Sequence, residues 1–415
     1  MNINVIINIC INSKTFALYG KIEYNISMDF NSIKETENKY GIRICKRQNI
    51  CFERGEGSKL FDTNNKEYLD FVGGSGESCL GYSYPALTEA ISCQSKKLIN
   101  CPDIYFSEPR AILNKNLVDN TIFSKSFICS GHSDAFFSLV YFIRMYCRLS
   151  KDTRKTIIAV TDNKIFNINN RVENTQNGIY NDLKIKAISY GDFNELKEAF
   201  NDDVCAVIIS PIMSEGVTIM DNNYVLKFYA LAKSSSALIA IDETNIGYAR
   251  TGELFAFEHY GINPDIVAIS KGLGGGLIMG AVLMRRDIAV VQTDKKQLFQ
   301  ASALECQAAN VVVSTIRSGM LDDIKRKGEY LATKLSKLRK YNFVTDIRGK
   351  GLIWGIELSP KLKAERVEIL LQKRGFLVSV TANNTIKLTP PFTVSEQEID
   401  MMTDELARLF SETNI

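Results

Sequence analysis

Histidine is nearly absent: in 415 residues only His132 and His259 carry an imidazole. That argues against a histidine-rich metal centre and against a conventional Ser-His-Asp hydrolase. An excess of either charge is missing too. Fifty Lys+Arg against 47 Asp+Glu leave a net charge of +3, so neither nucleic acid nor an anionic membrane surface is an expected partner. No apolar run approaches the roughly 18 residues needed to cross a bilayer. The ten cysteines are scattered, without the close pairs of a zinc knuckle or a redox dithiol. In a chain this long they read as reduced, mostly buried thiols of a cytosolic protein, and no metal is expected. What is present is ordinary globular composition, 45% hydrophobic and 23% charged, enough for two or three domains with a sizeable core.

Residues 1–27 stand apart. MNINVIINICIN is apolar but broken by Asn, and it lacks the basic start and small-residue cleavage site of a signal peptide. It reads as an extension of doubtful status, with an appended edge strand as the competing reading. From Phe52, FERGEGSKLFDTNNKEYLDF alternates apolar and polar residues around Gly/Asn turn signals, as a small β-meander does. Between about 125 and 285 short apolar β-rich runs alternate with helical stretches: 126–129, 156–161, 184–189, 204–210, 237–242, 265–270 and 280–284. Runs apolar throughout indicate strands buried on both faces, hence an α/β, mainly parallel sheet of about seven strands covered by helices. A helix is expected over Ser133–Arg148. After residue 310, helical patterns at 322–341, 364–374 and 396–410 mix with short strands, which predicts a smaller α+β domain. The expected division is 28–75 and 310–415 for the small domain and 76–309 for the large one.

In an open parallel sheet, ligands sit outside the carboxyl ends of the strands. SFIC ends in Ser130-Gly131-His132, directly before a helix, where small residues leave N–H groups free for a phosphate. A tight strand-to-helix turn with a serine cap explains the same residues equally well. ALIAI ends in Asp242-Glu243; a carboxylate there is costly unless a cation or donor meets it. DIVAIS ends in Ser270-Lys271 before Gly272-Leu273-Gly274-Gly275-Gly276. A lysine on a buried strand end beside such a loop is a candidate Schiff-base amine, because desolvation makes neutral amine available. Phosphate cradle, buried carboxylate and amine are together what pyridoxal 5'-phosphate requires. A dinucleotide reading fails, since the first strand-turn-helix lacks G-x-G-x-x-G.

The stretch DETNIGYARTGELFAFEHYGINPDIVAISKGLGGG closely resembles the cofactor-binding core of the class-III pyridoxal-phosphate aminotransferases. The framing segments FERGEGSKLFDTNNKEYLDFVGG, IYFSEPR, IRGKGLIWGIEL and IKLTPPFTVSEQEID resemble its acetylornithine/ornithine branch. The resemblance spans roughly residues 40–412 and implies fold type I, the aspartate-aminotransferase-like architecture, as a homodimer with shared active sites. By it, Lys271 matches the Schiff-base lysine and proton shuttle, and Asp242 the partner of the pyridine nitrogen. Asn245 stands where Gln is usual, near the phenolic oxygen. Ser130, Gly131 and His132 form the phosphate turn, with His132 in place of a small residue. Glu215 matches a glutamate that gates substrate binding through an arginine.

Departures from the family pattern fall at cofactor contacts and at the carboxylate-binding position. The usual Phe-His-Gly-Arg segment is absent, and Phe166 supplies ring stacking only with a shift of register. Gln297 stands in for a partner-subunit phosphate contact. Lys387 replaces the arginine that usually opens Arg-x-x-Pro-Pro, and an ammonium lacks a guanidinium's bidentate grip. The leading expectation is a cytoplasmic aminotransferase moving an amino group from a small amino acid to an oxo acid. A racemase, aminomutase or specialised biosynthetic enzyme on the same scaffold is the alternative, followed by a non-catalytic cofactor-binding paralogue. Arg250 and His259 are expected to be structural.

Overall fold

Seven short apolar runs between residues 125 and 284 form the central sheet. In a computed structural model of the chain, residues 28–42, 47–150, 152–161, 184–290 and 300–412 are described. Two compact units divide it: residues up to Arg54 with Leu60–Glu67 form one, and Gly55–Lys59 with Tyr68 onward the other. Strands are numbered along the chain. Three short ones, β1 (Phe52–Glu56), β2 (Lys59–Asp62) and β3 (Glu67–Asp70), precede β4 (Lys125–Cys129), β5 (Thr156–Thr161) and β6 (Lys184–Ser189). Then come β7 (Val204–Ile209), the two-residue strands β8 (Ile212–Met213) and β9 (Thr218–Ile219), β10 (Leu238–Glu243), β11 (Ile266–Ile269) and β12 (Gly280–Met284).

The sheet order is β4-β12-β11-β10-β7-β5-β6. β10 runs parallel to β7 and β11, and β5 to β6 and β7, whereas β12 is antiparallel to both β11 and β4. The exception has a simple cause: only residues 270–279 join β11 to β12, too few for the crossover that parallel pairing requires. Every residue of β7, β11 and β12 is buried. Alternate residues feed two separate cores, as a period of two dictates. Ile239, Ile241, Val267 and Ile269 enter one. Leu238, Ala240, Ile266 and Ala268 enter the other, together with Ala135, Phe136, Leu139 and Val140 of the helix His132–Leu149. The helix Asn222–Ser234 packs on β10.

The smaller domain is an antiparallel sheet, β13 (Val344–Lys350), β14 (Ile353–Leu358), β16 (Ser379–Thr381) and β17 (Thr385–Leu388), ordered β13-β14-β17-β16. β15 (Phe376–Leu377) pairs in parallel with Leu69 and Asp70 of β3. Helices Leu321–Ser336, Ala364–Lys373 and Glu396–Glu412 cover it; the helix expected over 322–341 ends at Ser336 and continues as a tight 3-10 turn to Lys340. Among the described residues no helix is long and apolar enough to cross a membrane.

Candidate active site

The carboxyl ends of β4, β10 and β11 lie along one edge of the sheet, because β4 and β11 both oppose β12. Gly280 shows how close two of them come. A Cβ there would lie 2.9 Å from the Gly131 carbonyl and 3.1 Å from that of Ile269. The turn after β4 and the strand leading to Lys271 are therefore a backbone's width apart.

Asp242 and Lys271 sit at the ends of neighbouring strands, with Asp242 opposite Ala268 in the ladder. The Lys271 N–H donates to the Thr244 carbonyl at 3.1 Å, so the main chain ties the two ends together. Asp242 is half-buried, and its Oδ1 accepts from the Thr244 N–H at 3.0 Å and hydroxyl at 2.7 Å. Among the described residues Oδ2 has no protein donor. Lys271 is half-buried and, among those same residues, has no ion-pair partner. Burial holds its ammonium below the usual lysine range, Glu77 and Glu215 pull the other way, and Arg250 adds to the depression. Asn245 follows in the same turn, its amide 3.5 Å from the Thr244 hydroxyl.

The turn after β4 is not closed by a serine cap. Gly131 is the helix N-cap, in extended backbone, with no side-chain cap bond, and the Ser130 hydroxyl donates instead to the Gln300 carbonyl at 3.2 Å. A Cβ on Gly131 would meet only Ile278 Cγ2, at 3.5 Å. The first N–H groups of a helix lack intrahelical acceptors and are free to hold an anion. Asp134 lies in the same turn, and burial raises its carboxyl toward the neutral form while His132 opposes the shift. These features fit pyridoxal phosphate: an open helix N-terminus, a carboxylate with one oxygen to spare and an amine without a counter-ion.

Glu215 and Lys387 come together near Lys271, though not as a pair. The Lys387 ammonium donates to the Ser214 hydroxyl, while Glu215 Oε2 accepts from the Thr381 hydroxyl at 2.9 Å. Burial, then the charge of Lys271, pushes Lys387 down to about 8. Phe166 and Gln297 lie outside the described residues. Arg250 is fully buried; its Nη1 donates to the carbonyls of Pro390 at 2.6 Å and Leu352 at 3.2 Å, and it stacks on Phe392. His259 Nε2 lies 3.2 Å from the Thr251 carbonyl.

Sequence reasoning missed the loop opposite the lysine. Gly76 approaches the Lys271 side chain, with a Cβ position 3.9 Å from Cδ, and Glu77 Oε2 accepts from the Gly272 N–H at 3.2 Å. Asp70 holds this loop through the N–H groups of Val72 and Gly73 and the Tyr82 hydroxyl. Gly73 has φ +58° and no room for a Cβ, 2.6 Å from the Thr389 carbonyl. The run Gly73-Gly74-Ser75-Gly76 after an apolar strand was the signal available.

The class-III aminotransferase family model matches residues 44–171 and 164–410. An acetylornithine aminotransferase of Methanocaldococcus jannaschii is 32% identical over 400 residues, spanning 91% of this chain and 98% of its own length. One from Clostridium acetobutylicum is 32% identical over 376 residues, spanning 88% and 95%. Among solved structures, the acetylornithine aminotransferase of Elizabethkingia anophelis superposes with a TM-score of 0.82 at 23% identity, over 92% of this chain and 99% of that one. Plasmodium falciparum ornithine delta-aminotransferase gives 0.81 at 22% identity, over 92% and 98%. These structural likenesses identify the architecture as fold type I. With a family match running through both the strand ends that carry Asp242 and Lys271 and the smaller domain, the chain belongs to the class-III aminotransferases, enzymes dependent on pyridoxal 5'-phosphate.

Proposed function

We propose that this aminotransferase takes the amino group of ornithine, acetylornithine or another ω-amino donor and passes it to an oxo acid. The neighbouring strand ends of Asp242 and Lys271 carry the reading, and the activities of the relatives suggest the donor class. Pyridoxal phosphate, when bound, supplies an electron sink for the bond broken at the substrate carbon. Lys271 would hold its aldehyde carbon and, once the substrate's amine has displaced it there, its freed neutral amine would take the proton from the substrate's amine-bearing carbon. Asp242 Oδ2 would hold a proton on the ring nitrogen, and Asn245 would donate to the phenolic oxygen. Ser130, Gly131 and His132 would hold the phosphate, Phe166 would stack on the ring given a shift of register, and Gln297 would meet the phosphate of a partner subunit. Lys387 receives the substrate carboxylate and Glu215 governs access to it.

A homodimer belongs to this reading. Ile104, Tyr105 and Phe106 are exposed apolar side chains, and so is Ile278 beside the Gly131 turn; a second copy would cover them. A cytoplasmic location is supported by eight free cysteines among the described residues, five of them buried. The division into residues 28–75 with 310–415, 76–309 and an extension over 1–27 is proposed likewise. Reconstitution tests the whole. Purified protein should bind one pyridoxal phosphate per chain, and ornithine or acetylornithine should shift its near-visible absorption as the amine is transferred. Lys271→Ala should abolish that transfer, a loss on the order of 10²-fold or more. A protein that binds no pyridoxal phosphate would overturn the proposal.

A further inference from the structure

Lys387 is half-buried and, among the described residues, paired with no carboxylate; its ammonium donates to the Ser214 hydroxyl. Ser214 opens a turn whose backbone is strained. Gly216 has φ +63° and Val217 φ +51°, and a β-branched residue seldom adopts that left-handed region. Two things hold Val217 there. Its side chain seats against Gly355, where a Cβ would come within 3.0 Å of Val217 Cβ, and Gly355 is the ladder partner of Lys387. Arg348 grips the turn's carbonyls as well, with Nε donating to Gly216 at 3.0 Å and Val217 at 3.2 Å, and Nη2 to Gly216 at 2.5 Å. Its Nη1 is anchored by Asp346 at 3.1 Å and Glu357 at 2.6 Å. Thr381 completes the lock: its hydroxyl accepts from the Gly216 N–H at 3.2 Å and donates to Glu215.

We infer that Arg348 is a positioning residue for the substrate carboxylate, locking the Ser214–Val217 turn so that Ser214 steers Lys387 while Glu215 is drawn to Thr381 instead of neutralising it. The inference rests on the reading of Lys387 as the carboxylate's partner. Its consequence is selectivity for amino donors and oxo acids that carry a carboxylate over plain diamines. A lysine at 348 cannot span two carbonyls and two carboxylates at once, since it lacks the planar fork.

The test uses the cofactor-loaded protein with L-ornithine, with 1,4-diaminobutane (the same amine without the carboxylate), and with glutarate, which carries carboxylates and no amine. Arg348→Lys should raise the glutarate Kd, measured by calorimetry, and the ornithine KM about tenfold, the equivalent of one misaligned charge-assisted hydrogen bond. Cofactor content, kcat and turnover of the diamine should stay near those of the parent. Thr381→Val, which frees Glu215 to approach Lys387, should act in the same direction without touching the arginine. If Lys387→Gln weakens glutarate binding while Arg348→Lys leaves it unchanged, or if Arg348→Lys lowers kcat/KM equally for both amines, the positioning role is overturned and the reading of Lys387 stands. If Lys387→Gln leaves glutarate binding intact, that reading falls and takes the inference with it.

Discussion

Glu243 couples this fold to pH through one side chain. It is 2% exposed, and its two oxygens accept from the N–H groups of Ala256 at 2.8 Å and Phe257 at 2.9 Å. Burial outweighs those donors and pushes the carboxyl from an ordinary 4.5 up to about 8. The folded state therefore binds more protons than the unfolded state between those values, and stability must fall as pH rises through that window. The contribution is complete below 4.5 and lost by the time pH passes 8. Glu243→Gln should remove a slope of at most about 1.4 kcal/mol per pH unit. It should also cost about 1–3 kcal/mol, because an amide leaves one of the two N–H groups without an acceptor. Urea unfolding of both proteins across pH 5 to 8 reads the difference; identical slopes would refute the coupling. Asp242 and Lys271 stand out in the sequence because each ends an apolar run, where a charge is costly unless something meets it. Ser214, Thr381 and Arg348 do not, since their pairing joins positions more than a hundred residues apart and leaves no local pattern.

At the scale of elements, the strands are legible because they are buried on both faces, and the sequence ranges for the sheet differ from the observed ones by at most one residue at either end. The two-residue strands β8 and β9 are not legible; so short a pair has no periodicity, and it exists to project the strained turn between them. The antiparallel placement of β12 follows from its short connection, yet only the fold shows what that placement does. Gly280, its first residue, is wedged between the Gly131 turn and Ile269. An alanine there would bring Cβ to 2.8 Å from Ala135 Cβ as well as against both carbonyls. None of these three neighbours is the free end of a flexible side chain, so backbone must move. Gly280→Ala should cost about 1–3 kcal/mol of stability by overpacking. It should also weaken pyridoxal phosphate binding, because the displaced carbonyl belongs to the turn proposed to hold the phosphate. A spectrophotometric titration that gives the parent's affinity would show that the turn absorbs the methyl elsewhere.

For the whole molecule, alternating apolar runs define a covered parallel sheet but not the order of its strands, since β4 and β12 are neighbours separated by 150 residues of chain on the way. Nor do they separate an exposed apolar residue from a buried one. Phe106 is fully exposed on this chain, with Ile104 and Tyr105 exposed beside it, whereas Phe71 and Phe136 are buried completely or nearly so. A cluster of large apolar side chains on the surface marks an interaction site, because water there is released when a partner covers it. A second copy of the chain as that partner predicts a self-complementary interface, where one substitution acts on both subunits at once. Phe106→Asp buries two carboxylates across such an interface, each costly to desolvate without a partner. Sedimentation velocity at micromolar concentration should show the parent as a dimer and Phe106→Asp shifted to monomer. Because Gln297 is proposed to meet the other subunit's phosphate, the monomer should also hold pyridoxal phosphate more weakly than the parent. A parent chain that sediments as a monomer while fully loaded would remove the dimer from the reading and leave each active site to one chain alone.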